Sequence, residues 1–144
     1  MPKKLNTQLI HSKLDLLKNF CNTYIDKPIL KVAGLNPHAG EEGILGNEEK
    51  DWLNSALIAW NKKNRDIQLF GPLSPDSCWN SSAKAWLNKD AERHDGILAM
   101  YHDQGLIPMK VIALNYSVNT TIGLPFIRTS PDHGTGFDLS LIHI

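Results

Sequence analysis

Cysteine is scarce, with only Cys21 and Cys78 in 144 residues. Two thiols without metal-ligand spacing make no disulfide framework, so reduced thiols in a cytoplasmic setting are expected. An excess of charge is missing too, because 15 Lys and Arg balance 15 Asp and Glu. Such a chain has no general electrostatic pull toward nucleic acid or an anionic membrane, though a local patch could still bind phosphate. No apolar run approaches a membrane span. Met1-Pro2-Lys3-Lys4 leads into mixed polar sequence, not into a signal-peptide core. There is no Walker loop, no dinucleotide-binding glycine fingerprint, no internal repeat and no low-complexity segment.

What remains is an ordinary globular composition, 42% hydrophobic and 21% charged, sized for one domain or one lobe of a larger protein. Leu14, Leu16, Leu17, Phe20, Cys21 and Tyr24 form a helical stripe within Leu9 to Tyr24. Ile29 to Ala33 reads as a buried strand that Gly34 ends. Asn47 is placed to cap a second helix carrying Trp52, Leu53, Ala56, Leu57 and Trp60 on one face, and Glu48 and Glu49 suit its dipole. Ile67 to Phe70 is the next strand, closed by Gly71-Pro72. A weaker helix covers Ser81 to Asn88, and Gly96 to Met100 is a further strand. A short helix is expected over Leu106 to Ala113, with short strands at Val118 to Ile122 and Phe126 to Arg128. Strand, helix, strand, helix, strand argues for an α/β fold with a parallel-rich sheet and flanking helices.

Two polar clusters follow strand ends. One is Gly34-Leu35-Asn36-Pro37-His38-Ala39-Gly40-Glu41-Glu42-Gly43, the other Tyr101-His102-Asp103-Gln104-Gly105. Open α/β sheets bind ligands at that edge. His38 and His102 suit a divalent metal, with Glu41 and Asp103 available to orient them. From residue types alone, ordinary loop histidines and solvated carboxylates are the commoner outcome. Asp76 follows Gly71-Pro72, where a capping aspartate is the simpler account. Lys110, Asn119 and Arg128 could line a cleft for phosphate or carboxylate, or form surface ion pairs. Gly40, Gly43 and Gly46 precede a helix and could approach a phosphate closely. The tryptophans Trp52, Trp60, Trp79 and Trp86 read as helix packing.

These clusters, with Gly71-Pro72-Leu73, Asp76 and Arg128-Thr129-Ser130-Pro131-Asp132-His133-Gly134-Thr135, closely resemble the 4-hydroxythreonine-4-phosphate dehydrogenase family of vitamin B6 biosynthesis. The resemblance covers residues 1–139 and only the C-terminal part of the family. Residues 140–144 do not match its pattern. It implies part of a two-lobed fold similar to isocitrate and isopropylmalate dehydrogenases, in a homodimer with active sites at the subunit interface. It further implies oxidation of 4-phosphooxy-L-threonine by NAD(P), then decarboxylation to 3-amino-2-oxopropyl phosphate.

By the same resemblance, His38 and His102 are two of three histidines holding a zinc, magnesium or cobalt ion, the third lying outside this chain. His102 and Lys110 are the implied catalytic residues. Asp76, Lys110, Asn119 and Arg128 are the implied substrate contacts. His133, Gly134, Thr135 and Asp138 fall on a loop that resembles the adenosine-side cofactor loop. Two alternatives remain. One is a relative acting on threonate or erythronate 4-phosphate. The other is an inactive metal- or phosphate-binding fragment.

Overall fold

The computed structural model describes residues 4–131. Three parallel strands form its centre in the order β2-β1-β3. They are β1 (Ile29–Ala33), β2 (Gln68–Leu73) and β3 (Gly96–Leu98). In register, Leu30 lies between Leu69 on one side and Gly96 on the other. The helix α1 (Thr7–Asn22) precedes the sheet, α2 (Asn54–Lys63) links β1 to β2, and α3 (Asn80–Trp86) links β2 to β3. Beyond β3 come α4 (His102–Ala113) and a separate antiparallel ribbon of β4 (Val118–Thr121) and β5 (Arg128–Pro131).

The core forms where α1 and α2 meet the sheet. Leu14, Leu30, Val32 and Leu53 are completely buried, and Trp60 is nearly so. The Trp60 indole N–H donates to Asp15 at 2.8 Å, so the largest core side chain keeps its polar atom satisfied. Asn6 caps α1 by accepting from the Leu9 amide at 2.9 Å. The buried stripe of α1 is Ile10, Leu14 and Cys21, while Tyr24 stands largely in solvent beyond the helix end. Cys21 and Cys78 are buried, unbridged thiols, and burial pushes both up from their ordinary pKa. Among the described residues, no helix is long and apolar enough to cross a membrane.

Several boundaries differ from the sequence reading. The strand β2 runs through Gly71-Pro72 to Leu73 instead of stopping before them. It lies at the edge of the three-stranded sheet, where a proline breaks no ladder bond. Asn47 does not cap the second helix, which opens instead as a π-helical turn, Glu49–Leu53, and continues as α2. The helix α4 starts at His102, four residues before its apolar stretch. The second ribbon strand is Arg128–Pro131, later than expected.

Candidate active site

Parallel strands end on the same side, so the segments after β1, β2 and β3 converge at one sheet edge. His38 follows β1, Asp76 follows β2 and His102 opens the helix after β3. The structure joins the first two directly, with His38 Nδ1 and Asp76 Oδ2 3.7 Å apart. Asp76 also accepts from the Ser74 hydroxyl at 2.5 Å. That hydrogen bond, with smaller help from a backbone amide and from His38, holds the Asp76 carboxyl below its ordinary pKa. His102 Nδ1 lies 2.8 Å from Asp103 Oδ1. A carboxylate on Nδ1 leaves Nε2 free to face a metal or a substrate.

The segment carrying His38 has an unusual backbone. His38, Ala39, Gly40, Glu41 and Glu42 all have positive φ, from 44° to 85°, making a left-handed turn. Left-handed geometry costs L-residues roughly 1–2 kcal/mol each, so neighbours must hold it. Glu49 is the main clamp. Its side chain is almost fully buried, and Oε1 accepts from the Leu35 amide at 2.6 Å and the Asn36 amide at 2.8 Å. Oε2 accepts from the Asn36 side chain at 2.8 Å, which also reaches Glu48 at 2.7 Å. The sequence reading had assigned Glu49 only to the helix dipole. Its signal was its position, an acid on the face of Leu53, Ala56, Leu57 and Trp60, where a carboxylate needs partners.

The glycines here serve the turn itself. A methyl group on Gly46 would stand 2.2 Å from the Asn36 side chain, and one on Gly40 would stand 2.7 Å from the Gly46 carbonyl. Their lack of side chains is used in internal packing, so the phosphate-approach reading of this loop has no separate support.

Gln104 is the second clamp that sequence reasoning left without a role. It is buried, donates to the Gly34 carbonyl at 2.7 Å and accepts from the Met100 amide at 2.6 Å. It therefore ties the start of α4 to the end of β1 and fixes His102 relative to the His38 segment. Between α3 and α4 lies an open cleft of about 550 Å³, with Asp76 and Asp103 among its lining residues and an apolar wall that includes Ile107 and Val111.

The remaining candidates are not gathered at this edge. Lys110 lies eight residues after His102 on the same helix, roughly 12 Å along its axis. Asn119 and Arg128 occupy the ribbon, where Asn119 pairs with Ser130 and Thr121 with Arg128. Cross-strand partners share a face, so Asn119 and Arg128 present their side chains together. Arg128 donates to Thr121 Oγ1 at 2.8 Å, within the ribbon. His133, Gly134, Thr135 and Asp138 lie outside the described residues.

The donor set suits a divalent metal in kind, with two imidazoles at one edge and a carboxylate near each. It is incomplete in number. Among the described residues, no three His, Cys, Asp or Glu side chains cluster as metal ligands. The model for "Pyridoxal phosphate biosynthetic protein PdxA" matches residues 1–142. The chain belongs to the PdxA family. It is 51% identical over 140 residues to the 4-hydroxythreonine-4-phosphate dehydrogenase of Synechococcus sp. (strain RCC307), covering 96% of this chain and 43% of that protein. The crystal structure of the Klebsiella pneumoniae enzyme of the same name superposes with a TM-score of 0.78 at 39% identity, covering 94% of this chain and 39% of that one. A terephthalate 1,2-cis-dihydrodiol dehydrogenase from Burkholderia xenovorans superposes with a TM-score of 0.64 at 27% identity, covering 95% and 41%. This PdxA-family chain thus spans about two-fifths of the length of the relatives it matches.

Proposed function

We propose that this chain supplies part of the active site of a metal- and NAD(P)-dependent dehydrogenase of 4-phosphooxy-L-threonine. The product of oxidation and loss of CO₂ would be 3-amino-2-oxopropyl phosphate, for pyridoxal 5′-phosphate synthesis. One observation carries the reading. His38, Asp76 and His102 follow three adjacent parallel strands, in a chain half identical to a relative named for that reaction. His38 and His102 would hold a zinc, magnesium or cobalt ion, which when bound polarises the substrate hydroxyl and stabilises negative charge on its oxygen.

Asp103 would orient His102 through its bond to Nδ1, and Asp76 stands 3.7 Å from Nδ1 of His38 as its nearby carboxylate. NAD(P)⁺ when bound would supply the hydride acceptor for oxidation at the hydroxyl-bearing carbon, and the β-keto acid would then lose CO₂ and leave an enolate that takes up a proton. Lys110 would take up or return the proton, and Asp76, Asn119 and Arg128 would fix the substrate's ends. The proposed cofactor contacts are His133, Gly134, Thr135 and Asp138.

The site would be completed by two copies, as a homodimer with active sites at its interface. The bared apolar side chains of Val111 and Ile127, 81% and 91% exposed, also favour a covered surface. In this reading the chain is one piece of a two-lobed cytoplasmic enzyme.

The test is NAD⁺ reduction with 4-phosphooxy-L-threonine and added Zn²⁺, Mg²⁺ or Co²⁺, using the full-length protein that contains this chain. Turnover should appear and should fall by at least 10³-fold, an order-of-magnitude figure for losing a metal-held site, in His102→Ala. Unchanged turnover in that variant would overturn the assignment.

A further inference from the structure

Lys31 stands in the middle of the central strand β1, between two completely buried neighbours, Leu30 and Val32. Its residue exposure is 5%, which is unusual for a side chain that carries a charge. The ammonium donates to Ser81 Oγ at 3.0 Å and to Glu92 Oε2 at 2.9 Å. A buried ammonium needs an anion beside it, and Glu92 supplies one oxygen. Yet the Glu92 side chain is 71% exposed and rises from residues 89–95, which form neither helix nor strand until Gly96. An exposed carboxylate on an irregular segment is a replaceable partner for a fixed, buried cation.

Beside that ammonium is a polar pocket of about 330 Å³, ample for a phosphate group. Asn80, Ser81 and Lys84 bring further donors, the Ser74 and Ser77 hydroxyls on the same wall donate to Asp76 and to the Ser74 carbonyl, and Asp90 is the opposing charge besides Glu92. Ser81 accepts from Lys31, and its hydroxyl also lies 3.3 Å from His94 Nδ1. The lining contains none of His38, Asp76 or His102. The pocket is therefore lined by a different set of side chains from the candidate active site, with Asn80 shared between it and the cleft that holds Asp76.

We propose that the Lys31 pocket is a second ligand site, for phosphate or a small phosphomonoester, and that the Glu92 carboxylate is a tethered stand-in for that oxyanion. Lys31 and Lys84 supply charge, and the Ser81 hydroxyl and the Asn80 amide supply directed hydrogen bonds. When phosphate enters, the Glu92 carboxylate leaves the ammonium for water, which its exposure allows at little cost. A tethered competitor has a high effective concentration, so it weakens binding of a free anion without closing the site.

The experiment is isothermal titration of the protein with inorganic phosphate and, in a second arm, with glycerol 3-phosphate. Glu92→Gln should bind phosphate about tenfold tighter than the parent, because the internal competitor is gone. Lys84→Met and Ser81→Ala, made in the Glu92→Gln background, should each weaken binding. Lys31→Met should abolish it, and the two milder variants decide the matter if that one does not fold. Arg128→Met should leave the Glu92→Gln gain intact, which separates this pocket from the polar face of the ribbon. Binding of both ligands points to phosphomonoesters, and binding of phosphate alone points to the free ion; either supports the site. No saturable binding by Glu92→Gln, or binding indifferent to Lys84 and Ser81, overturns it.

Discussion

Glu49 shows how one buried side chain can organise the segment that carries His38. Its two oxygens accept three hydrogen bonds from Leu35 and Asn36, and those bonds fix the chain just before the left-handed turn at His38. Glu49→Gln keeps one accepting oxygen and replaces the other by a donor facing the Asn36 amide. We expect a loss of about 1–3 kcal/mol, measured by urea unfolding. Asp76 offers a pH test at the same scale. Its folded pKa is lowered, chiefly by the hydrogen bond from the Ser74 hydroxyl. The stability linked to it is therefore complete above the unfolded-state pKa and is lost as pH falls through the lower, folded value. Ser74→Ala should raise the Asp76 pKa in an NMR titration; no change would show that the hydroxyl is not the cause. His38, Asp76, His102 and Arg128 were legible as site candidates through the motifs that carry the family resemblance, since residue types alone leave ordinary loop histidines and solvated charges as the simpler account. Glu49 and Gln104 were not, because their roles lie in hydrogen bonds to backbone amides and carbonyls that only the fold brings near.

The helices and strands were legible in proportion to their apolar rhythm. The run Ile29 to Ala33 is strand β1 residue for residue, since four consecutive buried positions after Ile29 leave little choice. The start of α4 was missed because His102, Asp103 and Gln104 are polar, and their helical placement depends on the bonds of Gln104 to Gly34 and Met100. The π-helical opening at Glu49 has no sequence rhythm of its own and follows from where its carboxylate must reach. Two expected outcomes belong here. Leu14→Ala, in the centre of α1 and completely buried, should cost about 2–5 kcal/mol in thermal or chemical unfolding. Gln104→Ala should cost roughly 1–3 kcal/mol by leaving the Gly34 carbonyl and Met100 amide unpaired. It should also raise hydrogen exchange at Met100, whereas Leu14→Ala should act on the whole core.

At the scale of the molecule, the described residues divide unevenly. The sheet with α1 and α2 has a filled core, while α4 and the ribbon leave Ile107, Val111, Phe126 and Ile127 more than half exposed. Such a surface should bind a hydrophobic dye, and the pair Val111→Glu and Ile127→Glu should reduce that fluorescence without lowering the unfolding midpoint by more than a degree or two. The strand order β2-β1-β3 also has a consequence for biosynthesis. The central strand is made first, but its partners come much later, Gln68 opposite Ile29 and Gly96 opposite Leu30. At roughly 5–20 residues per second, β1 waits some 3–13 s on the ribosome for β3. During that interval Leu30 and Val32 have nothing to cover them on one side, so this stretch is where a nascent-chain chaperone would be most needed. Arrested chains ending before β3 has emerged should be held by such a factor, and chains long enough to expose Leu98 should be released.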